Sequence, residues 1–292
     1  MGGKAVAMVL DAGDPLHVRR DQDAHCARQP RSCIEMSTSI RPHLRLTRLL
    51  AIGLATCLPP AGLAAPASAA VRTVIGHSVR GRPIAAISRG DPRARDKVLV
   101  IGCIHGNETA GIRIARRLIA SPAPRRAGLW IVPSLNPDGV AAGTRGNAHG
   151  VDLNRNFPFA WRPLGGLEYS GPHPLSEPEA RAARRLIRRV RPEVTIWFHQ
   201  PFDLIDRSGG NAAVERRYAE LVGLPLVRLR RYPGSASRWQ NHALPGSTAF
   251  VAELPPSVPD SLVRRAAAAV VTLANEYASP DLAGATEASL RH

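Results

Sequence analysis

The sequence predicts an α/β fold: a single domain built on a mixed, mainly parallel sheet flanked by helices. Three observations lead there. Lys97–Ile104 and Leu129–Leu135 carry apolar residues on both faces, with Val98–Ile101 and Leu129–Val132 apolar at consecutive positions, as strands buried on both faces are. Between them, Ala110–Ile119 places Ala110, Ile114 and Leu118 at helical spacing and stops before Ser121-Pro122. A third buried-type strand, Glu193–Phe198, follows a further amphipathic stretch. Strand, helix and strand at this distance imply a parallel crossover.

The remaining elements follow in order. Val71–Ile75 and Pro83–Ile87 read as short strands around the turn Arg80-Gly81-Arg82. Asn136–Gly166 is rich in Asn, Gly and Pro and reads as one long loop, which in a compact domain usually carries function. Ser176-Glu177-Pro178-Glu179 matches a capping box, with Ser176 as cap and Glu179 as its partner. The helix it opens runs to about Arg191, with Ala183, Leu186, Ile187 and Val190 on one face. Asn211–Val222 and Ser235–His242 read as helices, Thr248–Leu254 as a strand and Ser261–Tyr277 as a closing amphipathic helix.

The expected catalytic domain spans residues 71–278, with a flexible tail over 279–292. Residues 1–35 are polar and without period, and read as a non-native upstream extension. Residues 36–70 have the layout of a secretory signal: Arg41, Arg45 and Arg48, an apolar run from Leu49 to Leu58, and a small-residue cleavage site at Ala67-Ser68-Ala69. That run is too short to span a bilayer in the mature chain. The expected location is therefore outside the cytoplasm, in the zone of the cell wall.

Composition narrows the classes. The chain has 292 residues and four cysteines, of which Cys26, Cys33 and Cys57 precede the expected mature start. That leaves Cys103, which lies in an apolar strand and reads as a core residue, and it excludes a disulfide scaffold or a cysteine-based zinc finger. The formal net charge is +16, almost all of it from arginine. A basic surface attracts anionic polymers. No nucleic-acid recognition motif or aromatic platform accompanies it, so the expected partner is a peptide, with cell-wall peptides a natural source. A monomer is expected.

The chemistry gathers at strand ends. His105 and Glu108, three apart at the end of an apolar strand, can turn toward one point, as a zinc-binding pair does. His199 closes another buried strand and supplies the third ligand of a His2Glu set. Glu253 sits in an apolar strand, where a carboxylate needs a partner or has its pKa raised; either suits a general base. Asp152 can accept the spare ring N–H of a ligand histidine. Asn154 and Arg155 form a natural clamp for a carboxylate, and Arg145 is a candidate for oxyanion stabilisation.

Five pieces, taken together, resemble the zinc carboxypeptidase family, the carboxypeptidase A-like fold. They are Gly102–Glu108, Asn136–Gly139, Gly150–Pro158, His199 and Phe250–Leu254, in the family's order and over essentially the whole expected mature chain. Arg145-Gly146-Asn147, Ser176–Glu179 and the compact length look most like the bacterial murein-peptide amidase branch. The resemblance implies one zinc ion on His105, Glu108 and His199, with Glu253 as base and proton donor. It makes Arg145 the residue that polarises the scissile carbonyl, Asn154 and Arg155 the grip on the terminal carboxylate, and Asp152 the partner of the first zinc histidine. Tyr232 would be the mobile tyrosine that closes over substrate. The specificity wall would include Ser235–His242, which lacks an acidic residue, so that Arg238 could favour a substrate with an extra carboxylate. The alternative is an N-acyl-amino-acid deacylase of the aspartoacylase or succinylglutamate desuccinylase type, which shares the opening around His105 and the Asp-Leu-Asn-Arg element.

Overall fold

The computed structural model describes residues 70–91 and 93–277. The expected upstream extension, nearly all of the signal segment and the tail lie outside the described residues. One sheet carries eight strands: β1 (Val71–His77), β2 (Pro83–Arg89), β3 (Lys97–Ile101), β4 (Gly128–Val132), β5 (Val194–His199), β6 (Leu204–Asp206), β7 (Leu226–Val227) and β8 (Thr248–Glu253). Their spatial order is β1-β2-β4-β3-β5-β8-β6-β7. The central run β4-β3-β5-β8 is parallel throughout, as the buried apolar strands and their crossover helix require. Antiparallel pairs β1–β2, β2–β4 and β6–β8 extend it on either side.

Strand alternation sends successive residues to opposite faces. Val98, Val100, Ile196, Phe198 and Phe250 pack against α1 (Ala110–Ala120), α4 (Ala212–Val222) and α6 (Asp260–Tyr277). Leu99, Ile101, Trp197 and Val251 pack against α3 (Pro178–Val190) and α5 (Ala236–Ala243) on the other face. The core is thus two apolar layers with the sheet between them. Among the described residues, no helix is long and apolar enough to cross a membrane.

The structure corrects the sequence reading in several places. β3 ends at Ile101, and Gly102–Ile104 leave the sheet toward the site. A Cβ on Gly102 would lie 2.6 Å from the Pro133 carbonyl oxygen and 2.8 Å from that of Gly111, so only glycine lets α1 approach this closely. The stretch from Asn136 is not one bare loop. It holds α2 (Pro137–Ala142), which Asn136 caps by accepting from the Gly139 N–H, and a 3-10 turn at Leu153–Arg155 capped by Asp152.

The expected capping box does not form. Glu177 occupies the N-cap position of α3 without a side-chain cap bond, and the Ser176 hydroxyl donates to Glu177 Oε1 at 2.7 Å. Glu179 instead accepts from the Val79 N–H at 3.0 Å and Asn147 Nδ2 at 3.1 Å, so long-range demand outcompetes the local cap. Strands β6 and β7, of three and two residues, are too short to show a period in the sequence.

Candidate active site

The parallel strands end together, and their last residues make the site. His199 closes β5 and Glu253 closes β8, and the two are register partners, which places them side by side at the sheet's carboxyl edge. His105 and Glu108 stand just beyond the end of β3, on the turn that leads into α1. Crevices at this edge are the usual ligand sites of open α/β sheets.

Glu108 bridges the two histidines. Its Oε1 is 3.0 Å from His105 Nδ1 and its Oε2 is 3.0 Å from His199 Nδ1. Ligand atoms of the three buried residues all lie within 4.8 Å of one another and could hold a metal ion. The far ring nitrogen of His105, Nε2, is 3.0 Å from Asp152 Oδ1. A proton on Nε2 leaves the Nδ1 lone pair for a cation, which is the outer support that metal-binding histidines usually have. The donor set is that of a catalytic zinc, and one side of it opens on a cavity. The residues present therefore fit a single zinc ion.

Asp152 is fully buried and holds more than the histidine. Its Oδ2 accepts from Arg145 Nε at 3.0 Å and Nη2 at 2.9 Å, while Arg145 Nη1 donates to Glu108 Oε1 at 3.0 Å. Burial alone would raise the pKa of Asp152, but His105 and Arg145 outweigh it and hold the carboxyl well below the usual range. Burial works the same way on Glu108, and the two imidazoles outweigh it there. Burial pushes His105 down, Glu108 and Asp152 push it up further, and it ends raised; for His199 burial wins and it ends lowered.

Glu253 behaves differently. Burial, then the charge of Glu108, pushes its pKa up to about 8. Its Oε2 is buried with no hydrogen-bond partner among the described residues. Cys103 is the core residue expected from its strand. It donates to the His105 carbonyl oxygen at 3.0 Å, and burial pushes its thiol up to about 12, so it is inert.

A cavity of about 660 Å³ brings the other candidates together: Arg145, Asn154, Arg155, Tyr232 and Arg238 line it with His105, Glu108, His199 and Glu253. Asp152 stands behind this wall. Asn154 Oδ1 accepts from the Ala236 N–H at 2.9 Å and ties its turn to the start of α5. The Arg155 guanidinium lies 4.1 Å over the Tyr232 ring, and Arg238 lies 5.2 Å over the Phe159 ring while donating to the Tyr232 carbonyl at 3.1 Å. Sequence reasoning missed Glu168, Asp206 and Arg231 in the lining. The cavity does contain two acids beyond Glu108 and Glu253: Glu168, on a short 3-10 turn, and Asp206, from strand β6. Arg231, at 3.1 and 3.2 Å, occupies both oxygens of Asp206, and the Leu229 N–H adds a bond at 3.0 Å.

A mixed sheet with a His2Glu set at its carboxyl edge and a buried carboxylate beside it defines a metallohydrolase. Residues 61–212 match the zinc carboxypeptidase family, and the chain belongs to that family as a zinc metallopeptidase. The match takes in His105, Glu108, Asp152, Arg155 and His199 and ends before Glu253. Among its relatives, the chain is 31% identical over 180 residues to murein peptide amidase A of Escherichia coli K12, covering 56% of this chain and 74% of that one. It is 30% identical over 230 residues to murein peptide amidase A of Vibrio campbellii, covering 72% and 89%. The crystal structure of murein-tripeptide amidase MpaA from Escherichia coli O157 shares the fold, with a TM-score of 0.57 at 28% identity over 70% of this chain and 91% of that one. The protein is thus a hydrolase like the murein peptide amidases, and the deacylase alternative is not favoured.

Proposed function

We propose that the protein hydrolyses an amide bond next to a free carboxylate in a peptide of the cell wall, the bond between γ-D-glutamate and diaminopimelate. The observation that carries the hydrolytic part is Glu253, a buried carboxylate that lines the cavity beside His105, Glu108 and His199 and has one oxygen without a partner among the described residues. His105, Glu108 and His199 would hold the zinc, which supplies Lewis-acid polarisation of the scissile carbonyl and of the attacking water. The Glu253 carboxylate would take a proton from the attacking water and return it to the leaving amine. Three of the five N–H donors of Arg145 are used on Asp152 and Glu108, and two remain for the oxyanion of the tetrahedral intermediate. Asn154 and Arg155 set the register by gripping the substrate's terminal carboxylate, with Tyr232 flanking the guanidinium.

Substrate class rests on charge. Arg238 lines the cavity and meets no carboxylate among the described residues, which suits a substrate with a second acid group, as diaminopimelate has. Segment 36–70 and the basic charge support action outside the cytoplasm. The test is hydrolysis of L-alanyl-γ-D-glutamyl-diaminopimelate beside ordinary C-terminal dipeptides, with zinc and with Glu253→Gln as control. Release of diaminopimelate by the parent alone supports the reading. Release of ordinary C-terminal residues makes the protein a general carboxypeptidase. Arg238→Ala should weaken cleavage of the diaminopimelate peptide more than that of a lysine counterpart; equal losses would remove Arg238 from substrate choice.

A further inference from the structure

The carboxylate clamp is already in use. The Arg155 side chain is 6% exposed, yet it meets a single carboxylate among the described residues: Nη2 donates to Glu168 Oε1 at 3.2 Å. Its Nη1 turns to the carbonyl of neighbouring Asn154, and its Nε has no partner. Arg145, in the wall of the same cavity, holds two carboxylates at 2.9–3.0 Å. Arg155 is therefore a nearly buried guanidinium with one long bond to a side chain that is itself 39% exposed.

Glu168 is placed to leave. It ends a 3-10 turn, Gly166–Glu168, whose tip residue Leu167 is 80% exposed. The base of that turn is fixed: the Tyr169 carbonyl accepts from the Asp152 N–H at 2.8 Å, and the buried Ser170 hydroxyl accepts from the Leu164 N–H at 3.0 Å. Side-chain rotation can move the carboxylate without moving this backbone. It also has somewhere to go. Glu168 lines both the active-site cavity and an adjoining one of about 190 Å³, whose wall includes Arg162 and Arg230. Among the described residues neither of those guanidiniums pairs with a carboxylate, and Arg230 has only the Tyr232 ring, at 5.8 Å.

We infer that Glu168 is an internal competitor for the Arg155 clamp: it occupies the place of a substrate carboxylate in the unliganded protein and is displaced when substrate binds. The inference rests on the reading of Arg155 under Proposed function. A resident competitor lowers the affinity of every ligand that needs the same donor, and it leaves untouched the steps after it has been displaced. Glu168 thus sets KM for carboxylate-bearing substrates while standing apart from the reacting atoms.

The test compares Glu168→Gln with its parent in the zinc-loaded protein. A pair with one partly exposed partner is worth about two- to fivefold in affinity. KM for L-alanyl-γ-D-glutamyl-diaminopimelate should fall by that factor with kcat unchanged. Calorimetry in a Glu253→Gln background should show the same gain for the tripeptide and none for its C-terminal amide. Unchanged or weaker tripeptide binding by Glu168→Gln overturns the inference, and so does an equal gain for the amide. Arg155→Ala separates the two levels. It should weaken the tripeptide and abolish the Glu168→Gln gain. If Arg155→Ala binds the tripeptide as its parent does, the clamp reading has failed and the competitor falls with it.

Discussion

Two clusters of buried carboxylates lie on either side of the loop from Arg145 to Asp152, and they are built on opposite rules. At the start of α3, every side-chain oxygen of Glu177 and Glu179 has a partner. Glu177 accepts from Ser176 Oγ, Asn147 Nδ2 and the His149 ring, and Glu179 from Asn147 Nδ2 and the Val79 N–H. At the strand ends, Glu108 and Asp152 are equally well partnered, but Glu253 keeps an oxygen with none. Buried polar groups are costly when unsatisfied, so a folded protein keeps such a group only where something else gains. Between these two clusters the difference separates acids that hold backbone and side chains together from one, Glu253, that lines the cavity and keeps an oxygen without a partner among the described residues.

Four outcomes would sharpen that contrast or break it. The largest concerns Glu253→Gln, which keeps the shape and removes the proposed base. Turnover should fall by roughly a hundredfold to ten-thousandfold in steady-state assays. Stability should move the other way in the metal-free protein. The folded-state pKa of about 8 lies above the ordinary 4.5, so the neutral form is favoured on folding. That advantage is full below 4.5 and is lost as pH rises through 8. Glutamine, neutral throughout, should therefore melt higher than glutamate at pH 9 and alike at pH 4. A lower melting temperature at pH 9 would mean that Glu253 is structural after all.

Next is Asn147→Ala. It strips the two carboxylates of Glu177 and Glu179 of a shared donor, and the His149 and Val151 N–H groups of their acceptor. The expected cost is about 3 kcal/mol in denaturant unfolding, with activity falling because Arg145 and Asp152 bracket the loop. Unfolding at the parent's midpoint would refute the structural reading of the α3 cluster.

A smaller effect is expected at Glu215, fully buried behind β6, where burial raises the pKa to about 6 and Oε2 has no partner. Its stabilising neutral form is present below 4.5 and lost as pH rises through 6, so Glu215→Gln should gain up to about 2 kcal/mol at pH 8 and nothing at pH 4. Equal gains at both values would locate the effect in packing. The smallest signal is ionic. Zinc loading at pH 7 should release on the order of one proton, from Glu253, read by calorimetry in buffers of different ionisation enthalpy. Absence of release would mean that the site is already deprotonated without the metal.

What was legible in the sequence is what local chemistry writes. The apolar runs that became β3, β5 and β8 end at the residues that need to meet, so the ends of His105, His199 and Glu253 could be read as one edge. The turn that carries Asp152, Asn154 and Arg155 announced itself by composition. What was not legible depends on partners distant in the chain. Strand β6 exists because Leu204 pairs with Glu253, and no run of three residues declares that. Ser176 and Glu179 have the spacing of a cap, but Val79 and Asn147 claim Glu179 from far away. Glu168 and Asp206 reach the cavity through folding of short irregular segments and leave no periodic trace.

The close contact at Gly102 has a consequence for how this gene can vary. A Cβ on Gly106 would lie 2.0 Å from the Gly139 carbonyl carbon, and one on Gly111 would lie 2.0 Å from the Gly102 oxygen. Every replacement for glycine adds at least that carbon. In a saturation library scored for hydrolysis, Gly102, Gly106 and Gly111 should be depleted of all substitutions as thoroughly as His105. Three positions with no side chain would then be as immutable as the histidine they stand beside.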